Sequence, residues 1–123
     1  MNALGIHVIL ELKNCNRERL NDLPFVRTTM LEAARAVGAT IVGESFHQFS
    51  PIGVTGVVAI AESHLCIHTW PEYGYAAVDV FTCGDSFSPK AAAELLIDSF
   101  EALDPALTEI KRGLLVELAG ASR

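Results

Sequence analysis

The 123-residue sequence lacks the features that mark a nucleic-acid-binding or membrane-spanning protein. Nine Lys and Arg stand against fifteen Asp and Glu, giving a net charge of −6, and the basic residues form no run. Binding to nucleic acid needs clustered positive charge that neutralises phosphates, so we expect no nucleic-acid partner. No stretch approaches the roughly 20 apolar residues that span a bilayer, so we expect no membrane association either.

The sequence is also poor in cysteine, with only Cys15, Cys66 and Cys83. The count is odd and no pair has C-x-x-C spacing. We therefore expect no disulfide framework and a cytoplasmic location, where thiols stay reduced. Cys66 lies between Leu65 and Ile67, which indicates an ordinary buried thiol. Cys83 follows a predicted strand directly and is expected to be accessible.

Half of the residues are hydrophobic, which is enough for one core, and we predict a single domain over residues 1–123. The pattern predicts strands at 4–12, 40–49, 53–61, 65–70, 75–82 and 110–118. Several of these strands follow one another without a helix between them. That order favours antiparallel pairing, because parallel neighbours need a long crossover connection.

Two helices are predicted from their end signals. The first begins after Asp22, a good N-cap residue, and ends at Gly38. The second begins at Ser88 and Pro89, and we expect its inner face to continue to Leu103. Together these elements predict an α+β fold, an antiparallel sheet with two helices on one face in a two-layer sandwich. The other face of the sheet would be solvated or would meet another sheet.

Residues 61–75 gather nucleophiles, bases and aromatic side chains in an otherwise plain chain. His64, His68 and Glu72 recur every four residues, and on a helix they would share one face as metal ligands. The strand-forming residues between them and the helix-breaking Pro71 argue against a helix. We therefore expect no metal site here.

Other interpretations of this stretch stay open on residue types alone. Ser63, His68 and Asp79 supply the groups of a Ser/His/acid hydrolase, but the nucleophile-elbow pattern G-x-S-x-G is missing, which makes that signal weak. Each of these residues, taken singly, is more often a turn former or a satisfied structural group than a catalyst.

Longer motifs carry a resemblance that spans nearly the whole chain. They are Leu4-Gly5-Ile6-His7, Gly38-Ala39-Thr40, Phe46-His47-Gln48-Phe49, Gly53-Val54-Thr55-Gly56-Val57-Val58, Glu62-Ser63-His64, His68-Thr69-Trp70-Pro71-Glu72-Tyr73-Gly74, Phe81-Thr82-Cys83-Gly84 and Glu109-Ile110-Lys111-Arg112-Gly113. With these motifs the sequence closely resembles the short bacterial and archaeal S-adenosylmethionine decarboxylases.

The resemblance implies that the chain cuts itself to make its own cofactor. Ser63 would become a covalent pyruvoyl group that forms a Schiff base with the substrate. The bond cut would be Glu62–Ser63, which gives residues 1–62 as the β chain and 63–123 as the α chain. His68 would be the processing base, and Cys83 the proton donor in decarboxylation.

The resemblance also implies a substrate site. Phe49 would stack on the adenine of the substrate, and Glu72 would hold its ribose. Thr55 stands where the family usually has Ser and is the candidate processing hydroxyl. Ile6 stands where a basic residue is common.

The implied activity is the decarboxylation of S-adenosyl-L-methionine to S-adenosylmethioninamine and carbon dioxide, for spermidine and other polyamine biosynthesis. The cofactor would be the pyruvoyl group, without pyridoxal phosphate or metal. The partner would be a second copy, in a homodimer of two-chain protomers whose sheets face each other with active sites at the interface. The alternatives are a pyruvoyl-dependent arginine or ornithine decarboxylase of the same fold, and an uncleaved homologue that only binds.

Strand geometry sets a condition on these roles. Side chains on a strand alternate between faces, so Ser63 and His68, five residues apart, would point in opposite directions on one regular strand. They meet only if a turn or bulge lies between them. We therefore predict a bend at 62–64, where a strained backbone would also help the acyl shift.

Overall fold

Six strands form one antiparallel sheet in this computed structural model, which describes residues 3–84 and 86–114. The elements are β1 (Gly5–Leu12), α1 (Arg17–Leu20), α2 (Leu23–Val37), β2 (Thr40–Gln48), β3 (Val54–Ala61), β4 (Ser63–Trp70), β5 (Tyr75–Cys83), α3 (Pro89–Ser99) and β6 (Ala106–Arg112), with a 3₁₀ turn at Pro71–Tyr73. The strand order is β2-β3-β4-β5-β1-β6, and every neighbouring pair is antiparallel.

The central strands alternate buried and open side chains, as a sheet covered on one face requires. Val8, Val58, Leu65 and Val80 are fully buried and pack in one core cluster with side chains of α2 and α3. The opposite side, here called the open face, is formed by residues 7, 9 and 11 of β1, 55, 57 and 59 of β3, 64, 66, 68 and 70 of β4, and 75, 77, 79 and 81 of β5. The predicted α+β fold with helices on one face is confirmed.

The helix end signals hold for α2. The Asp22 carboxylate accepts a hydrogen bond from the Phe25 amide at 3.2 Å, and Gly38 ends the helix in the left-handed conformation. Helix α3 begins at Pro89, also as predicted. Because α3 ends at Ser99, the prediction that its inner face continues to Leu103 is wrong, and that side chain is 82 % exposed.

Two elements differ from the sequence-based prediction. The last strand was expected at 110–118, whereas β6 begins at Ala106 and ends at Arg112; residues 115–118 lie outside the described part of the chain. Every residue of β6 is exposed, so this edge strand carries no alternating hydrophobic pattern from which to find it. Helix α1 was not predicted, because four residues are too few to show helical periodicity.

Thr69 fixes the layer of helices to the end of β4. Its hydroxyl donates to the Leu20 carbonyl at 2.8 Å and accepts from the Val54 amide at 2.9 Å, and the side chain is buried. One hydroxyl therefore satisfies a backbone carbonyl at the end of α1 and a backbone amide at the start of β3. Thr69 thus connects the end of α1 and the start of β3 to the end of β4.

We expect Thr69→Val to destabilise the fold by about 2 kcal/mol or more, because two buried backbone groups would lose their partners. Thr69→Ser keeps the hydroxyl and removes one methyl group, so it should cost only about 1 kcal/mol. Urea unfolding, followed by tryptophan fluorescence in uncut Ser63→Ala protein at one protein concentration, measures both. Equal losses in the two variants would contradict the role of the hydroxyl.

Candidate active site

Ser63 opens β4 at a tight hairpin that follows β3. Strand β3 ends at Ala61, and only Glu62 lies between the two strands. The φ angle of Ser63 is 127°, in a region that residues with a side chain rarely adopt. Such a conformation costs on the order of 1–3 kcal/mol and persists only where surrounding structure enforces it. The predicted bend is present, with strain at the residue expected to react.

Cys83 lies next to Ser63 across the β4–β5 ladder. Ser63 pairs with Thr82 in register, and the Ser63 Oγ and Cys83 Sγ atoms are 3.2 Å apart, within hydrogen-bond distance. A cavity of about 640 Å³ opens beside this pair. It is lined by Leu4, Ala61, Glu62, Cys83, Gly84, Ser86 and Phe87. A hydroxyl and a thiol are therefore in contact at one end of the sheet, beside a cavity that Cys83 and Glu62 both line.

A second cluster occupies the other end of β4. Thr55 pairs with His68 in register, and Thr55 Oγ1 lies 3.1 Å from His68 Nδ1. A cavity of about 340 Å³ opens here. It is lined by Phe49, Ile52, Gly53, Thr55, His68, Thr69, Trp70 and Glu72. The candidate processing residues Thr55 and His68 and both candidate substrate-binding residues thus line one cavity.

The two clusters are far apart within one chain. Strand β4 runs from Ser63 to Trp70 in unbroken register with both neighbours, so five residue steps of roughly 3.3 Å separate Ser63 and His68 by about 16 Å. The expectation that a bend lets these two residues meet is wrong for a single chain. The bend lies at Glu62, before Ser63, and not between the two residues.

Asp79 does not complete a hydrolase triad. The Asp79 Oδ1 atom lies 2.8 Å from His7 Nε2 on the open face. Ser63 is hydrogen-bonded to Cys83, and His68 to Thr55. The three candidate triad side chains therefore have three different partners. The Ser/His/acid interpretation is wrong, because triad chemistry requires its members to contact one another.

The middle of the open face carries polar residues that the sequence reasoning did not single out. Besides the His7–Asp79 pair, the Tyr75 hydroxyl donates to the Glu11 carboxylate. Cys66 also lies on this face and is partly exposed, so the expectation of a buried thiol is wrong. Burial and the nearby Asp79 charge raise the pKa of Cys66. The signal that could have located these residues was the two-residue alternation of β1, β4 and β5.

The open face does not assemble metal ligands. His64 and His68 share this face, but four residue steps along β4 separate them by roughly 13 Å. Within residues 3–84 and 86–114, no group of three His, Cys, Asp or Glu side chains is placed to hold a metal ion. In that same part of the chain, no helix has the length and apolar character to cross a membrane.

The fold and the arrangement of strands are those of a known class of decarboxylase. A crystal structure of the adenosylmethionine decarboxylase from Aquifex aeolicus VF5 matches with a TM-score of 0.86 and 34% identity, covering 94% of this chain and 95% of that one. The family model described as S-adenosylmethionine decarboxylase matches residues 6–113.

Relatives matched over most of their own length agree with this assignment. The S-adenosylmethionine decarboxylase proenzyme of Thermodesulfovibrio yellowstonii is 55% identical, over 94% of this chain and 85% of its own. The proenzyme of the same name from Carboxydothermus hydrogenoformans is 55% identical, over 95% of this chain and 92% of its own. The chain belongs to the S-adenosylmethionine decarboxylase family.

The Tyr75–Glu11 contact predicts a loss of stability at alkaline pH. Burial, the hydrogen bond to Glu11 and the charges of Glu11 and Asp79 raise the pKa of Tyr75 to about 12, whereas an unfolded tyrosine titrates near 10. Between these values the unfolded chain releases a proton that the folded chain keeps, so unfolding becomes more favourable as the pH rises. Between pH 9 and pH 11, the free energy of unfolding measured in urea should fall more in Ser63→Ala protein than in Ser63→Ala protein that also carries Tyr75→Phe. Equal losses in the two would contradict this.

Proposed function

We propose that the chain is an S-adenosylmethionine decarboxylase that makes a pyruvoyl group from Ser63 and supplies S-adenosylmethioninamine for spermidine biosynthesis. The observation that carries the proposal is the strained Ser63 at the β3–β4 hairpin, with its hydroxyl 3.2 Å from the Cys83 thiol. Relatives that share about half of their residues with this chain are named as proenzymes, which supports self-processing. The three free cysteines support a cytoplasmic location.

Self-cleavage begins at the hairpin. The Ser63 hydroxyl attacks the Glu62 carbonyl carbon, the Glu62–Ser63 amide bond breaks, and an ester replaces it. A base then removes the Ser63 α-proton, and β-elimination releases residues 1–62 with a carboxylate end. The dehydroalanine left at residue 63 tautomerises, and water replaces its nitrogen as ammonia, which leaves a ketone. The strain at Ser63 favours the first step because it is relieved when the backbone bond breaks.

The residues around Ser63 fit the pyruvoyl group that this reaction would leave. Such a group would supply a ketone for attachment of the substrate amine and a sink for the electron pair freed as carbon dioxide leaves. Cys83 would return a proton to the substrate carbon, a role supported by the 3.2 Å distance between its sulfur and Ser63 Oγ. The adjoining cavity of about 640 Å³ offers space for the reacting end of a substrate.

The remaining roles require a second copy of the chain. Within one chain His68 is about 16 Å from Ser63, too far to act as its processing base. We place the open faces of two copies against each other. The two-fold axis would lie between the two sheets and perpendicular to β4. The β4 strands of the two copies would then lie one over the other and run in opposite directions. Cys83 continues the alternation of residues 75, 77, 79 and 81 on the open face, and the Ser63 hydroxyl, at the distorted start of β4, reaches this thiol. The partner's His68 would then face the Ser63–Cys83 pair, and each dimer would have two such sites.

The open face exposes apolar side chains that a second sheet could cover. Val57 and Trp70 lie on it and are 38% and 40% exposed. Ile110 of β6 pairs in register with His7, so it extends this face, and it is 41% exposed. Sheets that stack face to face lie about 10 Å apart, close enough for side chains of both to meet. Each composite site would combine Ser63 and Cys83 of one copy with the second cluster of the other.

The second cluster would bind the nucleoside part of the substrate. Phe49 offers an aromatic ring, 47% exposed, on which adenine can stack. The exposed Glu72 carboxylate in the same cavity can accept hydrogen bonds from ribose hydroxyls. Thr55 keeps a hydroxyl on His68, as a serine would, so the change of residue type preserves the contact.

We expect the purified protein to consist of two fragments, residues 1–62 and 63–123, and to release carbon dioxide from S-adenosylmethionine without added pyridoxal phosphate or metal. Ser63→Ala should stay uncut and inactive, because the attacking hydroxyl is gone. Intact mass and radiolabelled carbon dioxide release measure the two outcomes. Turnover by an uncut chain would refute the pyruvoyl assignment, and turnover of arginine or ornithine in place of S-adenosylmethionine would refute the substrate.

We expect a composite site to permit complementation between two inactive chains. When Ser63→Ala and His68→Ala chains are co-expressed, half of the sites in a mixed dimer pair an intact Ser63 with an intact His68. The His68→Ala chain should then be cut in the mixture, although it stays largely uncut alone. Distinct affinity tags identify the chains, and mass spectrometry measures the cut.

The matched control replaces the helper chain with the double variant Ser63→Ala/His68→Ala, which supplies no His68 and should give no cut. If mixed dimers form and the His68→Ala chain remains intact, the composite arrangement is wrong. If His68→Ala cuts itself when expressed alone, its processing role is wrong.

A further inference from the structure

The segment that contains α1 supports both loops of the second cluster. The Cys15 amide donates to the Gly74 carbonyl at 2.9 Å, just after the turn that carries Glu72. At the other end of the segment, Asn21 contacts the loop that carries Phe49. Of these two contacts, only the one made by Asn21 comes from a side chain, and it reaches the loop of Phe49.

Asn21 makes two contacts to the Phe49 loop through one oxygen. Its Oδ1 accepts from the Gly53 amide at 2.8 Å and from Gln48 Nε2 at 2.9 Å. These two donors flank the loop, one on each side of Phe49. The side chain therefore bridges the start and the end of the turn between β2 and β3.

Gly53 connects Asn21 to Phe49, because its amide contacts Asn21 and its carbonyl contacts the Phe49 amide. The Gly53 carbonyl accepts from the Phe49 amide at 2.8 Å and from Gln48 Nε2 at 3.0 Å. Gly53 has a φ of 112°, which a residue with a side chain would adopt only with strain. Its conformation is thus held by hydrogen bonds on both sides of the residue, one of which comes from Asn21.

Asn21 itself lies outside the cavity that Phe49 lines. It lines a neighbouring cavity of about 460 Å³, and the two cavities share Ile52 and Glu72 in their walls. A substrate seated beside Phe49 and His68 would not need to touch Asn21. Any effect of Asn21 on the substrate would therefore act through the loop.

We infer that Asn21 is a positioning residue for substrate binding, because it holds the Phe49 loop in the conformation that presents the ring to the nucleoside. The inference rests on the proposed role of Phe49 in stacking on adenine. A loop that is released would still sample the bound conformation, at an added cost paid on binding. The affinity for S-adenosylmethionine should fall while the chemistry at Ser63 is unchanged.

The test compares steady-state kinetics of fully cleaved variants. Asn21→Ala should raise KM for S-adenosylmethionine about tenfold, on the scale of one lost hydrogen bond, with kcat within about twofold. Asn21→Asp keeps an oxygen acceptor and should return KM to within about threefold of the parent value. If Asn21→Ala does not fold, Asn21→Ser, whose shorter side chain cannot reach both donors, replaces it.

A matched control and a double variant separate positioning from general destabilisation. Asn16 caps α1 by accepting from the Arg19 amide and donates to Glu101, without touching the Phe49 loop. Asn16→Ala should lower the melting temperature but leave KM unchanged. In Asn21→Ala/Phe49→Ala the two effects should not add, so KM should match that of Phe49→Ala alone.

Each outcome bears on a different claim. If Phe49→Ala raises KM but Asn21→Ala does not, the inference is overturned and the proposed site stands. If the two effects multiply in the double variant, Asn21 acts by some route other than Phe49, and the inference is again overturned. If Phe49→Ala leaves KM unchanged, the substrate role of Phe49 fails and the inference fails with it.

Discussion

The unbroken course of β4 is the constraint on which the candidate site depends. An extended strand of eight residues, paired on both sides, holds its first and sixth residues at a fixed separation. Ser63 and His68 therefore belong to two clusters, each with its own hydroxyl-bearing contact and its own cavity. The two clusters can act on the same group only if a second sheet brings one cluster of each copy together. Dimerisation would then be a condition of catalysis as well as of stability.

The sequence predicted those parts of the fold that local signals determine. Helix α2 follows from Asp22 and Gly38 because capping is decided within a few residues. Strand β6 was misplaced because an exposed edge strand has no buried side to create a pattern. The site residues were named by family resemblance, but the Ser63–Cys83 contact depends on the register between β4 and β5. That register is set by packing across the whole sheet, which no local motif contains.

The polar residues in the middle of the open face are compatible with burial between two sheets. An unpaired charge or hydroxyl is costly to remove from water, whereas a hydrogen-bonded one is tolerated. His7 and Asp79 are already paired, and so are Glu11 and Tyr75. A second sheet could cover these groups without leaving them unsatisfied, while the exposed side chains of Val57 and Ile110 would supply apolar contact.

Sheet topology explains how the protein would survive a cut in its middle. Cleavage before Ser63 would leave β1, β2 and β3 in one fragment and β4, β5 and β6 in the other. In space the order is β2-β3-β4-β5-β1-β6, so the fragments are joined by the β3–β4, β5–β1 and β1–β6 ladders. Helices α2 and α3, one from each fragment, also pack in the same core. Since β1 lies between two strands of the other fragment, the halves could separate only by unfolding the sheet, and one broken peptide bond would leave the site intact.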